Sequence, residues 1–298
     1  MRYAGELAAL GTACCWAVGS NLFAAAGRRM GSVVLNRLRL TVAAGFLGLA
    51  MWAVHGVPWP TWATPLQLAL LSASGVVGFV FGDTYYFRAL VILGPGKASL
   101  LASLAPVFTA ILAIPVLGEH LGRTAILGVA LTLGGVYLVL AAGERIVDAH
   151  VEGSAFAGVV AGVLGALGQA GGYVISKLVL RDGLDPLSAT IVRIAAAVLC
   201  VWAMAALGGS IGRSITALKD RKVAAFMVGG AFAGPFLGVT LSLTALKHTE
   251  AGIAASLTAI YPILTLFLSS RFHGERVTPR ILIGAMVAVA GVAVLFLR

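Results

Sequence analysis

Gly78-Phe79-Val80-Phe81-Gly82-Asp83-Thr84 and Gly234-Pro235-Phe236-Leu237-Gly238-Val239-Thr240 lie 156 positions apart (78 to 234) and share two glycines and a threonine. The same offset carries Ala89-Leu90 onto Ala245-Leu246, Gly96 onto Gly252, and Pro106 and Thr109 onto Pro262 and Thr265. It also carries Gly118-Glu119 onto Gly274-Glu275, and Gly128 and Gly135 onto Gly284 and Gly291, so residues 78–140 align with 234–296 without a gap. Coincident Ala and Leu are expected by chance in an apolar chain. Prolines inside apolar runs and Gly-Glu pairs at one offset are not, so the chain contains an internal repeat. A looser match extends it towards the start of each half: Arg39 before Leu40-Thr41-Val42-Ala43, and Arg193 before Ile194-Ala195-Ala196-Ala197.

The repeat is built of apolar runs. Hydrophobic residues make up 60% of the 298 positions and charged ones 11%, where soluble domains carry about a quarter charged. Ten stretches reach the roughly 20 residues that cross a bilayer as a helix: 3–26, 34–54, 66–91, 96–116, 123–142, 154–178, 187–207, 223–246, 251–270 and 279–297. They are continuous rather than alternating, which predicts helices and not barrel strands. The expected fold is an all-α membrane protein of ten transmembrane helices, in two five-helix repeats, 1–143 and 152–298. An odd number of spans per half inverts the second half relative to the first. Inverted repeats of this kind enclose a central cavity in secondary transporters, where rocking exposes a midplane site to each side in turn.

Other classes find little support. The net charge of +10 is scattered singly or in pairs at the ends of runs, which predicts interfacial anchoring in a lipid bilayer and no nucleic-acid partner. Cys14, Cys15 and Cys200 fall inside the apolar runs without CxxC spacing and are expected to be packing residues. The histidines, at 55, 120, 150, 248 and 273, fall at or beyond run ends, so no metal site or proton relay is expected from them. An intramembrane enzyme would need paired acids, a His-Glu zinc pattern or a nucleophile with its base, and no phosphate-binding glycine loop or cofactor motif is present. The first run is expected to be a retained helix and not a cleaved signal peptide.

Three groups of residues carry what mechanism can be read. Gly158, Gly162, Gly165, Gly168 and Gly172, and then Gly230, Gly234 and Gly238, form stripes that let helices approach closely, for static packing or for sliding. Pro106, Pro235 and Pro262 lie within spans and predict kinks, serving as hinges or as simple shape-fitting. Candidate substrate-binding residues begin with Asn21 and Gln169, which stand at equivalent places in the first and sixth spans and could face each other across the repeat axis. Trp16, Tyr85, Tyr86, Tyr173, Trp202 and Tyr261 join them as an aromatic wall, suited to a small amphipathic solute such as an amino acid with a sizeable side chain. Asp83, the one carboxylate deep inside a span, completes the set. Its repeat mate is Val239, and it reads either as a proton carrier or as half of a structural ion pair with Arg88, Lys97 or Arg39. Glu119 and Glu275 close their helices beside Arg123 and Arg276 and are expected to be hydrated anchors.

Several of these motifs together resemble the EamA-type members of the drug/metabolite transporter superfamily. The resemblance rests on Trp16-Ala17-Val18-Gly19-Ser20-Asn21, Arg39, Gly82-Asp83-Thr84 with Arg88-Ala89-Leu90, and Ala105-Pro106-Val107 followed by Leu117-Gly118-Glu119. Tyr261-Pro262-Ile263 and His273-Gly274-Glu275-Arg276 are their second-half counterparts. It implies a ten-helix basket around a central cavity and transport of amino acids or comparable metabolites, often outward, across a cell membrane such as the bacterial inner membrane. The expected partner is a small-molecule substrate, and a monomer suffices because both halves share one chain. A multidrug-cation exporter is the alternative. It is weakened because Cys14-Cys15-Trp16 stands where the small four-helix relatives carry a Glu. Counting basic residues places both termini outside the cytoplasm, whereas the resemblance implies the reverse.

Overall fold

The computed structural model describes residues 3–117, 122–141, 154–248 and 257–295, which form helices joined by short connections, with no strand among them. In chain order the helices are α1 (Ala4–Met30), α2 (Ser32–His55), α3 (Pro65–Leu93), α4 (95–117), α5 (Arg123–Leu140) and α6 (Ala155–Arg181). There follow α7 (Pro186–Leu207), the short α8 (Ile211–Lys219), α9 (221–248), α10 (Tyr261–His273) and α11 (Pro279–Leu295). Eight of them, α1 to α7 and α9, are long and apolar enough to cross a membrane. α10 and α11 are shorter, at 13 and 17 residues. The expected ninth span begins in residues outside the described set, as do Gly252, Gly118-Glu119, His120 and the junction expected at 143–152.

Local sequence explains the breaks. Gly31 and Gly94 adopt φ of +80° and +84°, a backbone region that costs other residues a steric penalty, and they turn the chain from α1 into α2 and from α3 into α4 without a loop. Asp185 caps α7 by accepting the Ser188 N–H at 2.9 Å, ahead of Pro186 at the first helical position. Pro106 and Pro262 each follow a short turn, at Ser103 and at Ala259–Ile260. α8 was not foreseen. Its Ile211, Ile215 and Leu218 are exposed on one face while Ser214 is buried, the pattern of a helix lying in a membrane interface.

Two stretches depart from α geometry. α3 passes through a π-helical segment at Val76–Gly82, and α9 through another at Phe232–Gly238. Their starts lie 156 residues apart (76 to 232), the offset of the repeat. π segments insert an extra residue per turn and occur preferentially at functional sites. Both lie on glycine faces. α3 packs on α6, where a Cβ added to Gly168 would come within 2.6 Å of Gly82 Cα. α9 packs on α1, where one added to Gly19 would come within 3.3 Å of Gly234 Cα. α4 crosses α6 as α10 crosses α1, α2 lies against α7, and α5 and α11 form a close pair through Gly128, Gly135, Gly284 and Gly291. Where backbones meet in lipid, dispersion and weak polar contacts replace water exclusion as the source of association.

Candidate functional site

One group of buried polar residues gathers around the α3 π segment. Arg39 of α2, 3% exposed, is ion-paired through Nη2 with Asp83 of α3, 7% exposed. The Arg39 Nε donates to Asn36 Oδ1 at 3.2 Å, and Asn36 Nδ2 donates to the Phe79 carbonyl at 2.8 Å and to Thr84 Oγ1 at 3.0 Å. Phe87 covers the guanidinium at 4.7 Å. Gln169 of α6 donates to the other Asp83 oxygen and, at 3.3 Å, to the Gly78 carbonyl. Ser74 ties the same two helices by donating to the Gly172 carbonyl at 2.6 Å. The Gly78 carbonyl lies within the π segment, accepts the Asp83 N–H and takes Gln169 as a second donor on its other lone pair.

Asp83 is therefore held by Arg39, one of its three expected partners, while Arg88 is exposed. Asn21 and Gln169 are not joined to each other by a hydrogen bond. Asn21 donates to its own helix at the Ala17 carbonyl, 2.9 Å away, and its Oδ1 is buried without a partner among the described residues. Tyr86 meets Ser20 at 3.2 Å, Tyr261 donates to the Ser99 carbonyl at 3.1 Å, and Tyr85 stacks on Phe81 with centroids 4.8 Å apart. Trp16 packs on Gly234 and Gly238 of the second π segment. Trp202 donates to Thr41 at 2.9 Å and lies under Arg37, on the fringe of the apolar cluster that holds Phe87 and Tyr86. Pro235 sits within the second π segment. A groove of about 350 Å³ lined by Ala44, Gly45, Gly48, Leu49, Trp52 and Pro58 lies towards the far end of α2 and touches none of these residues.

Glu275 corrects an expectation. It is buried, at 2% exposure, and not hydrated. Its carboxylate accepts the Gly96 N–H at 3.2 Å, at the N-terminus of α4, where unpaired backbone donors and the helix dipole favour an acid. Gly94 and Gly96 leave the room, since a Cβ on either would lie within 2.3 Å of a Glu275 oxygen. Burial pushes the carboxyl above its ordinary range, against the opposing pull of that N–H. Glu119, its repeat mate, is outside the described residues.

Arg193 is the residue that sequence reading noted as a repeat feature and passed over as a site. It lies two turns into α7, as Arg39 lies two turns into α2, each the eighth residue of its helix (186 to 193; 32 to 39). The residue is 7% exposed, and its guanidinium lies 4.6 Å from the Phe79 ring and 5.5 Å from that of Tyr173. Nε and Nη2 are buried with no hydrogen-bond partner among the described residues. The signal was available in the repeat: both halves keep the arginine, but only the first keeps an acid, Asp83, where the second has Val239.

The fold and these motifs can be set beside known proteins. A crystal structure of a protein 20% identical to this chain superposes with a TM-score of 0.60, covering 99% of this chain and 98% of that one, which establishes the shared fold alone. An uncharacterized transporter of Archaeoglobus fulgidus is 26% identical over 298 residues, spanning 98% of this chain and 97% of its relative. The EamA-like transporter family model matches twice, over residues 3–141 and 156–297. With two copies of that family's unit spanning nearly its whole length, the chain belongs to the EamA-like transporter family and is an integral, multi-pass membrane transporter of small molecules.

Proposed function

We propose that the chain exchanges or exports amino acids, aromatic or other sizeable uncharged ones, by alternating access between two inverted five-helix halves, 1–143 and 152–298. The observation that carries this reading is the matched pair of crossings. α3 meets α6 and α9 meets α1, each through a π-helical segment lying on glycines, at the repeat offset. Surfaces without protruding side chains and with locally unwound backbone are suited to shifting against each other. Pro235 lies within the second π segment, Pro106 and Pro262 each follow a short turn, and all three serve as hinges in this reading. The solute site in this reading is formed by Trp16, Asn21, Asp83, Tyr85, Tyr86, Gln169, Tyr173, Trp202 and Tyr261. Tyrosine rings with a few hydrogen-bonding groups favour a ring-bearing amphipathic solute. Asp83 is engaged by Arg39, which leaves it poorly placed to receive an organic cation and weighs against the drug-exporter alternative.

Proteoliposomes of the purified chain test this. Labelled phenylalanine and tyrosine should enter vesicles preloaded with the same unlabelled amino acids, and labelled cationic dyes should not. Dye entry without amino-acid entry would reverse the assignment.

A further inference from the structure

We infer that Arg193 is the receptor for a carboxylate on the transported solute. The inference rests on the amino-acid reading above and deepens it by naming the residue and the solute group it grips.

The charges make the case. Within the buried group, Arg39 and Asp83 cancel, and Gln169 satisfies the second carboxylate oxygen. Arg193 is left with its charge uncompensated: Nε and Nη2 are buried without acceptors, although the side chain is 7% exposed. Rings cover it, with Phe79 at 4.6 Å and Tyr173 at 5.5 Å. Such contacts offset part of the desolvation, but they take up the π faces of a guanidinium and not its N–H groups, which radiate in its plane and need an acceptor. An isolated cation at this depth is costly, and side chains of this kind mark solute paths or pair with another charge. Arg37, the other buried arginine of α2, also leaves its Nε without a partner, but both its Nη atoms donate, to Ser214 Oγ at 2.7 Å, the Ser210 carbonyl at 3.2 Å and Ser210 Oγ at 3.1 Å, whereas no hydrogen bond joins Arg193 to any described residue.

The missing partner has a definite chemistry. One planar fork with one net charge fits a monoanionic carboxylate, which can accept two parallel N–H groups. A phosphate dianion would call for a second free cation beside the first. The surroundings fit an amphipathic molecule. Tyr173 is 52% exposed while it lies against Arg193. The first half closes its arginine with its own acid, and in the second half the solute supplies it.

The test is thermal unfolding of purified parent, Arg193→Gln and Arg193→Lys, alone and with phenylalanine, its amide, phenethylamine and hydrocinnamate. Without solute, Arg193→Gln should melt at or above the parent temperature, since it removes an uncompensated buried charge. A purely structural arginine would instead lower it. Phenylalanine should stabilise the parent while the amide and phenethylamine do not. In Arg193→Gln the apparent affinity should fall about 10- to 100-fold, the worth of a charge-assisted hydrogen-bonded pair, with Arg193→Lys between. Equal stabilisation of parent and Arg193→Gln by phenylalanine overturns the inference and leaves the amino-acid reading intact. Stabilisation of the parent by hydrocinnamate but not phenylalanine, lost in Arg193→Gln, sinks the amino-acid reading and keeps the inference. A parent insensitive to both carboxylates, or an Arg193→Gln variant that melts well below the parent, overturns it.

Discussion

Adding one methyl group to Gly135 tests the packing on which the fold depends. Gly135 faces α11, and a Cβ built there would lie 2.3 Å from Ala288 N, 2.5 Å from the Gly284 carbonyl oxygen and 2.7 Å from Ala288 Cα. All three are backbone atoms on a neighbouring helix, so no side chain can swing aside. Ordinary contact begins at 3.4 Å, so α5 and α11 must part by about 1 Å, and overpacking of this kind costs about 1–3 kcal/mol. Gly134, one position earlier, has nothing within 4 Å of its Cβ position. There, alanine meets open space and gains its helix propensity, worth about 1 kcal/mol over glycine. Neighbouring Gly→Ala substitutions therefore move stability in opposite directions, with a gap of about 2–4 kcal/mol. Fluorescence-monitored thermal unfolding in one detergent reads this as a difference of several degrees, with Gly134→Ala the higher. A Gly135→Ala variant as stable as Gly134→Ala would refute the close backbone pairing of α5 with α11.

Asp83→Asn should lower stability by about 3–5 kcal/mol by leaving buried Arg39 unpaired, and Arg39→Leu with Asp83→Leu should recover much of that loss in a thermal double-mutant cycle. Additive losses would mean that the two residues do not act as a pair. Glu275 gives a pH dependence with a definite sign. Its folded pKa is raised above the ordinary 4.5, so the stability it contributes is full below that value and is lost as pH rises through the folded pKa. Glu275→Gln, which can still accept from Gly96, should flatten the melting temperature over that window. A parent profile that rises there and is unchanged in Glu275→Gln would contradict the burial of the carboxyl.

Much of the architecture was legible because lipid imposes one rule, long apolar helices, that composition reveals directly. The ends of α2, α3, α4 and α7 fall within two residues of the expected ones, fixed by Gly31, Gly94, Pro65, Pro95 and Pro186, whose backbone preferences are local. The π segments were not legible, since they arise when Gly78, Gly82, Gly234 and Gly238 let another helix press against the backbone, and that pressure is tertiary. α8 was missed because its nine residues are amphipathic, not uniformly apolar. Asp83 was recognisable as an intramembrane acid, but the choice of Arg39 over Arg88 depended on the meeting of α2 and α3. Glu275 was misread because its position in sequence, at a helix end beside Arg276, says nothing of the Gly94–Gly96 turn that covers it.

The central claim is alternation: one solute site opens to one side of the membrane at a time. Counterflow measures it. Vesicles containing the parent protein and a high concentration of unlabelled phenylalanine, diluted into a trace of labelled phenylalanine, should accumulate label above its external concentration and then release it. That overshoot arises when the loaded carrier returns faster than the empty one or when exchange is obligatory. Monotonic equilibration of label through the protein, with no overshoot at any internal concentration, would mean a pore open to both sides and would contradict the account.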